Sequence, residues 1–177
     1  MLHLITGGSG SGKSAYAEEQ VLLSGDEKRI YIATMIPYGE DGRQRVERHR
    51  KLRQQKRFET LECYTDLLHL SVPEGAVVLL ECMSNLVANE VFEPEGAHEK
   101  TVQAVTAGVE KLGGRAKQLF IVTNEVFSDG ISYDPETTRY LSYLGEVNRE
   151  IARMADRVTE VVYGIPVQIK PGGQMKL

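Results

Sequence analysis

Cysteine is scarce in this 177-residue chain, tryptophan is missing, and neither sign of charge dominates. The two cysteines, Cys63 and Cys82, lie far from any C-x-x-C spacing and each follows a strand-like run. That pattern fits reduced thiols and leaves no disulfide framework or cysteine metal site to expect. Lys and Arg number 21 against 25 Asp and Glu, a net charge of -4. A dedicated nucleic-acid or anionic-membrane binder would carry a basic footprint, so neither partner is expected. No apolar run approaches the length of a membrane span. Internal repeats, low-complexity segments and separating linkers are also missing, so residues 1–177 are read as one domain, long enough to bury a core unaided. The N-terminus passes directly into a strand and a glycine-rich loop that a cleaved leader would remove, which makes the expected location cytoplasmic.

What the chain does contain is alternation. Short aliphatic runs trade places with amphipathic stretches, the pattern of an α/β fold with a mostly parallel central sheet flanked by helices. Strands are expected over Leu2–Thr6, Ile30–Thr34, Glu59–Cys63, Ala76–Leu80 and Lys117–Thr123. Val158–Tyr163 and Val167–Ile169 are expected to close the sheet as a hairpin around Gly164-Ile165-Pro166. A helix is expected over Ser14–Leu23. Val102, Val105, Val109 and Leu112 share one helical face, as do Tyr140, Leu144, Val147, Ile151 and Met154. Gly113-Gly114 is expected to stop the first of these two helices and Pro135 to start the second. The densely basic stretch from Arg43 to Arg57 also reads as helical.

Between the first strand and its helix lies Gly7-Gly8-Ser9-Gly10-Ser11-Gly12-Lys13-Ser14. This is a phosphate-binding loop in form: glycines let successive N–H groups turn inward, and the helix N-terminus adds its partial positive charge. Lys13 would neutralise the β- and γ-phosphates of a nucleotide, and Ser14 would hold Mg²⁺. The competing reading is a Gly/Ser turn with a chance lysine. A second oxygen ligand for the metal is expected at the end of a neighbouring apolar strand, and Glu81 closes the run Val77-Val78-Leu79-Leu80; read blandly, it is a strand-end acid in a turn.

Four histidines are present. His3 falls inside the first strand and reads as structural, while His69 and His98 fall on surface-like helices without chemical company. His49 is surrounded in sequence by Arg43, Arg45, Arg48, Arg50, Lys51 and Arg53, and shares a helical face with Val46. Cations disfavour imidazole protonation, which keeps a ring nitrogen free for attack, and they bind phosphates. A solvated basic face carrying one packed histidine explains the same residues, and an RNA patch is disfavoured by the overall charge.

Taken together, these segments resemble the bifunctional adenosylcobinamide kinase/adenosylcobinamide-phosphate guanylyltransferases of cobalamin biosynthesis, nearly end to end. The resemblance is carried by Ile5-Thr6-Gly7-Gly8, Tyr31-Ile32-Ala33-Thr34, Arg45-Val46 with His49-Arg50, Glu62-Cys63, and Leu79-Leu80-Glu81-Cys82 with Asn85 and Asn89. Val122-Thr123-Asn124-Glu125-Val126, Gly130-Ile131 and Gly145, Val147-Asn148 with Ile151-Ala152 complete it. The resemblance implies a RecA-like P-loop domain, a homotrimer, and two reactions. A nucleoside triphosphate, ATP or GTP, phosphorylates the aminopropanol hydroxyl of adenosylcobinamide; GTP then gives GMP to a histidine, from which it passes to the phosphorylated corrinoid. His49 matches the guanylylated histidine. The family's nucleotide contacts map onto the phosphate loop, Ala33, Thr34, Met35, Arg50, Lys51, Leu52, Arg53, Glu62 and Glu81.

The chain departs from the family at several places. Gln54 follows Arg53 where the family has proline, and Phe58 stands where it has tryptophan. Ser132-Tyr133 replaces Val-Pro, and Tyr140-Leu141-Ser142 replaces Phe-Arg-Asp. Two other readings share the phosphate loop: a divergent P-loop kinase of another small molecule, and a nucleotide-binding regulatory protein without transferase activity.

Overall fold

The computed structural model describes residues 1–25, 27–40, 44, 47 and 56–172. In chain order the principal elements are β1 (Leu2–Thr6), α1 (Lys13–Leu23), β2 (Arg29–Ala33), β3 (Phe58–Glu62), β4 (Val77–Glu81) and α2 (Met83–Phe92). They continue with α3 (Thr101–Arg115), β5 (Gln118–Val122), α4 (Pro135–Met154), β6 (Arg157–Val162) and β7 (Ile165–Lys170). The seven strands form one sheet in the order β3-β2-β4-β5-β1-β6-β7. Neighbouring strands run parallel from β3 through β6, and only β7 is antiparallel to its neighbour.

Side chains alternate across the sheet, so each strand feeds two cores. Val78 and Leu80 of β4 join Leu4, Ile32 and Ile121 beneath α2, α3 and α4, with Val105, Val109, Leu112, Leu144, Val147 and Ile151 facing them. Val77 and Leu79 point the other way, into a smaller cluster with Ile5, Tyr31, Phe120 and Val122 that Ala17 and Val21 of α1 cover. The helical faces read from periodicity are therefore core faces, with Tyr140 and Met154 at the margin. Among the described residues, no helix is long and apolar enough to cross a membrane.

Four local expectations need correction. Gly113 and Gly114 lie inside α3, which runs on to Arg115. Burial of Leu112 and a 3.2 Å hydrogen bond from Arg115 Nε to the Val72 carbonyl hold this last turn against the glycines' poor helix propensity. The hairpin turn is Tyr163-Gly164, with Val162 paired to Ile165 and Val161 to Pro166. Both turn residues have positive φ, 51° and 78°, as a two-residue hairpin connection requires. Pro166 is tolerated in β7 because an edge strand leaves one row of donors unused. The expected helix over Arg43–Arg57 is helical at Gln44 and Glu47 but ends before Arg57, which sits in a turn with φ 58° and leads into β3. His69 also has company, since its Nδ1 pairs with Asp66 Oδ1 at 2.7 Å.

Candidate functional site

Strands β1, β2 and β4 all end at the same edge of the sheet, the carboxyl edge where parallel α/β folds bind ligands. The segment Gly7–Ser14 leaves β1 at this edge and closes into α1. Gly12 caps α1 in the left-handed region at φ 92°, a conformation that favours glycine. At Gly7 the constraint is space: a Cβ would lie 2.5 Å from the Val161 carbonyl oxygen. The loop is held by Glu125 N–H to Gly7 O at 3.1 Å, Ser11 N–H to Gly8 O at 3.2 Å, and Gly164 N–H to Ser11 O at 2.8 Å. Ser9, Gly10 and Gly12 are exposed, and the buried Ser11 hydroxyl has no hydrogen-bond partner.

Lys13 is 8% exposed and donates from Nζ to the Gly8 carbonyl at 3.0 Å. Burial pulls its pKa below the usual lysine range, while the nearby Cys82 and Glu81 act in the opposite sense. The Ser14 hydroxyl donates to Glu81 Oε1, and Tyr31 OH donates to Glu81 Oε2 at 3.0 Å. Register explains this meeting. Ala33 pairs with Glu81 and Tyr31 with Leu79, so Tyr31 and Glu81 share the α1 face of adjacent strands. The pairing of Ser14 with Glu81 is the geometry expected from sequence; Tyr31 was overlooked, although its two-residue spacing from Ala33 was a usable signal.

The segment Ala33–Met35 leaves β2 beside Glu81, but Thr34 turns inward. Its side chain is fully buried, and its hydroxyl donates to Cys82 O and accepts from Cys82 N–H, both at 2.8 Å. Its N–H donates to Glu81 O at 3.3 Å and its carbonyl accepts from Asn89 Nδ2 at 2.8 Å. Thr34 therefore holds the ends of β2 and β4 together, with its hydroxyl and its N–H both engaged within the protein. Glu62 is exposed at the end of β3 and accepts from Tyr64 OH at 3.0 Å. Met35 is half-buried. His49, Arg50, Lys51, Leu52 and Arg53 lie outside the described residues.

A polar layer that sequence reasoning did not single out lies beneath this edge on the other face. Ser84 is its hub: Asn124 Nδ2 donates to its hydroxyl at 2.7 Å, Cys82 Sγ lies 3.1 Å from it, and Tyr140 OH donates to its carbonyl at 3.3 Å. Burial, with Cys82 nearby, pushes the Tyr140 phenol up to about 12, so it remains a donor. Burial likewise raises the Cys82 thiol. Asn124 and Asn148, which carry part of the family resemblance, act in this layer; Asn148 Oδ1 accepts from Thr123 Oγ1 at 2.8 Å.

Comparison with known proteins identifies the fold and the family. The flagellar accessory protein FlaH from Methanocaldococcus jannaschii superposes with a TM-score of 0.54 at 16% identity, covering 99% of this chain and 82% of that one. At that identity the likeness is one of fold. The bifunctional adenosylcobalamin biosynthesis protein CobU of Escherichia coli is 32% identical over 186 residues, spanning 96% of this chain and all (100%) of the relative. The CobU of Salmonella typhimurium is also 32% identical, over 191 residues and 100% of its length. The corresponding protein CobP of Pseudomonas aeruginosa is 29% identical over 178 residues. The sequence pattern of the family described as cobinamide kinase / cobinamide phosphate guanyltransferase matches residues 3–169. Matched over nearly its whole length, the chain belongs to the cobinamide kinase / cobinamide phosphate guanyltransferase family.

Proposed function

We propose that this chain performs both reactions of its family in cobalamin biosynthesis, as a single nucleotide-binding unit over residues 1–177. The observation that carries the proposal is the junction of Lys13, Ser14 and Glu81 at the carboxyl edge of the sheet. In the kinase step, the aminopropanol hydroxyl of adenosylcobinamide attacks the γ-phosphorus of a nucleoside triphosphate. The bond to the β–γ bridging oxygen breaks, the nucleoside diphosphate leaves, and the hydroxyl gives up its proton. Such a transfer needs little covalent help from the protein; it needs placed positive charge. Lys13 is held in the loop by a single carbonyl that phosphate oxygens can displace. Backbone N–H groups of the phosphate loop and the N-terminus of α1 would supply the rest.

The residues present fit a divalent cation. The Ser14 hydroxyl and Glu81 carboxylate are hard oxygen donors already in contact, and Mg²⁺ takes only one or two protein ligands beside phosphates and water. Among the described residues there is no group of three His, Cys, Asp or Glu that would suggest a dedicated metal cage. Ser14 and Glu81 would hold Mg²⁺, which when bound neutralises charge on the β- and γ-phosphates. Tyr31 orients the Glu81 carboxylate through its second oxygen.

In the guanylyltransferase step, a neutral ring nitrogen of His49 attacks the α-phosphorus of GTP and pyrophosphate leaves. A phosphate oxygen of adenosylcobinamide phosphate then attacks the same phosphorus, and the histidine departs with its proton restored. This assignment rests on the sequence around His49, with Arg50, Lys51, Leu52, Arg53, Ala33, Met35 and Glu62 as nucleotide contacts. A cytoplasmic homotrimer completes the proposal. The exposed row Ile165, Val167 and Ile169 on β7 supports an interface with another copy.

The test is to incubate the protein with Mg²⁺ and GTP labelled at the α-phosphate, then map any acid-labile, base-stable adduct. A guanylylated peptide containing His49, lost in His49→Ala, is the expected result. GTP binding without any adduct would end the covalent mechanism and leave the kinase reading alone.

A further inference from the structure

The tip of the β6–β7 hairpin and the phosphate loop are in direct contact. Gly164 N–H donates to Ser11 O at 2.8 Å. A Cβ on Gly12 would lie 3.4 Å from Gly164 Cα, and one on Gly7 would lie 2.5 Å from Val161 O. Beside this junction stands Tyr163, 93% exposed and held at φ 51°. Asparagine, aspartate and glycine are the residues that take the first position of such a turn without penalty. A bulky aromatic there is a backbone outlier of the kind that marks functional sites. Its flanks, Val162 and Ile165, are exposed aliphatic side chains on the same hairpin.

Topology says what this tip would meet. The Ser14–Glu81 contact sets the γ-phosphate end of the loop on the β4 side. In the sheet β1 lies between β5 and β6, with β4 beyond β5. A triphosphate that starts near Glu81 and follows the loop across β1 therefore delivers its nucleoside on the β6 side, where the hairpin tip stands. We propose that Tyr163, carried on the hairpin that buttresses the phosphate loop, is the stacking platform for the purine base of the nucleotide bound at that loop. The inference rests on the phosphate loop binding nucleotide as described above. It adds a residue that no part of the loop motif supplies: the loop grips phosphates and ignores the base, so base affinity must come from outside it.

The test compares ligands with and without a base. Binding of GTP, ATP and inorganic tripolyphosphate, each with Mg²⁺, is measured by calorimetry for the full chain and for Tyr163→Ala, Tyr163→Phe and Lys13→Ala. Tyr163→Ala is expected to weaken both nucleotides about tenfold while tripolyphosphate binds unchanged. Tyr163→Phe should bind all three as the parent does. Because the chain has no tryptophan, Tyr163→Trp places a single indole at the tip. Its fluorescence should respond to nucleotide and stay constant with tripolyphosphate. If Tyr163→Ala keeps parental nucleotide affinity while Lys13→Ala loses it, the base lies elsewhere and only this inference falls. If Tyr163→Ala weakens tripolyphosphate as much as nucleotide, the tyrosine supports the loop and stacks on nothing. A parent that binds none of the three ligands would sink the phosphate-loop reading itself.

Discussion

On one face of the sheet, α2, α3 and α4 cover a continuous core that reaches from Leu2 to Val158. On the other, α1 covers a smaller cluster around Ile5 and Leu79, and the candidate site residues Lys13, Ser14, Tyr31 and Glu81 gather at its rim. The contrast follows from strand alternation. In β4, Val78 and Leu80 serve the thick core, while Val77 and Leu79 lead along the thin face to Glu81. A strand buried on both sides can therefore hold a carboxylate at its end, with the larger core on one face and the candidate site at the rim of the other. That division can be broken or sharpened by mutation.

The largest effect is expected from Lys13→Ala. Removing a placed charge from phosphoryl transfer should lower kcat of the kinase step about a hundred- to thousandfold, while the melting temperature moves little, because the ammonium makes one hydrogen bond to its own loop. Leu112→Ala on the thick face should do the reverse. This fully packed side chain should cost about 2–5 kcal/mol in chemical denaturation, with nucleotide affinity of the folded protein retained. Loss of nucleotide affinity in Leu112→Ala would show that the two faces are coupled.

Acid should act through the thin face. His3 is fully buried, edge-on to Tyr16 and tilted against Phe120, with Nε2 2.8 Å from Thr159 Oγ1 and Nδ1 unpartnered. Burial, and secondarily the Arg157 guanidinium, hold its pKa down to about 4 from an ordinary 6.5. The unfolded chain thus binds a proton that the folded one refuses. The histidine's contribution is complete above pH 6.5 and is lost as pH falls through about 4, roughly 3 kcal/mol in all. His3→Gln, which keeps a polar partner for Thr159 without titrating, should show a flatter stability profile between pH 7 and about pH 4. Equal acid sensitivity in both proteins would move the cause elsewhere. The smallest effect is expected from Asp134→Ala. Asp134 caps α4 by accepting from Glu136 N–H and Thr137 N–H, so its loss should cost about 1 kcal/mol by thermal or urea denaturation.

How far the sequence could be read depended on whether a feature was local. The phosphate loop was legible because its glycines, lysine and serine act within one turn of chain, and Glu81 because a strand-end acid needs only the apolar run before it. Strand positions followed from period, with ends shifted by a residue or two, whereas the helix α2 over Met83–Phe92 was not read from the sequence. Gly113-Gly114 misled because propensity yields to the burial of Leu112. The commitment of Thr34 to Cys82, the reach of Tyr31 to Glu81, and the hub at Ser84 all arise between strands or layers, and no local pattern announces them. Tyr163 was missed for the same reason, since its interest comes from a hairpin leaning on a loop that precedes it by most of the chain.

The position of β1 in the sheet also sets a schedule. Ile5 pairs with Val122 on one side and with Thr159 on the other, so the strand that launches the phosphate loop finds its first partner only when β5 has been made and its second only with β6. During synthesis its apolar side chains wait unpaired while β2, β3 and β4, which neighbour one another, can already associate. Contacts this distant in sequence slow folding and lengthen the time an open strand edge is exposed. The segment that carries the phosphate loop, though near the start of the chain, is thus enclosed on both sides only after β6 has joined the sheet.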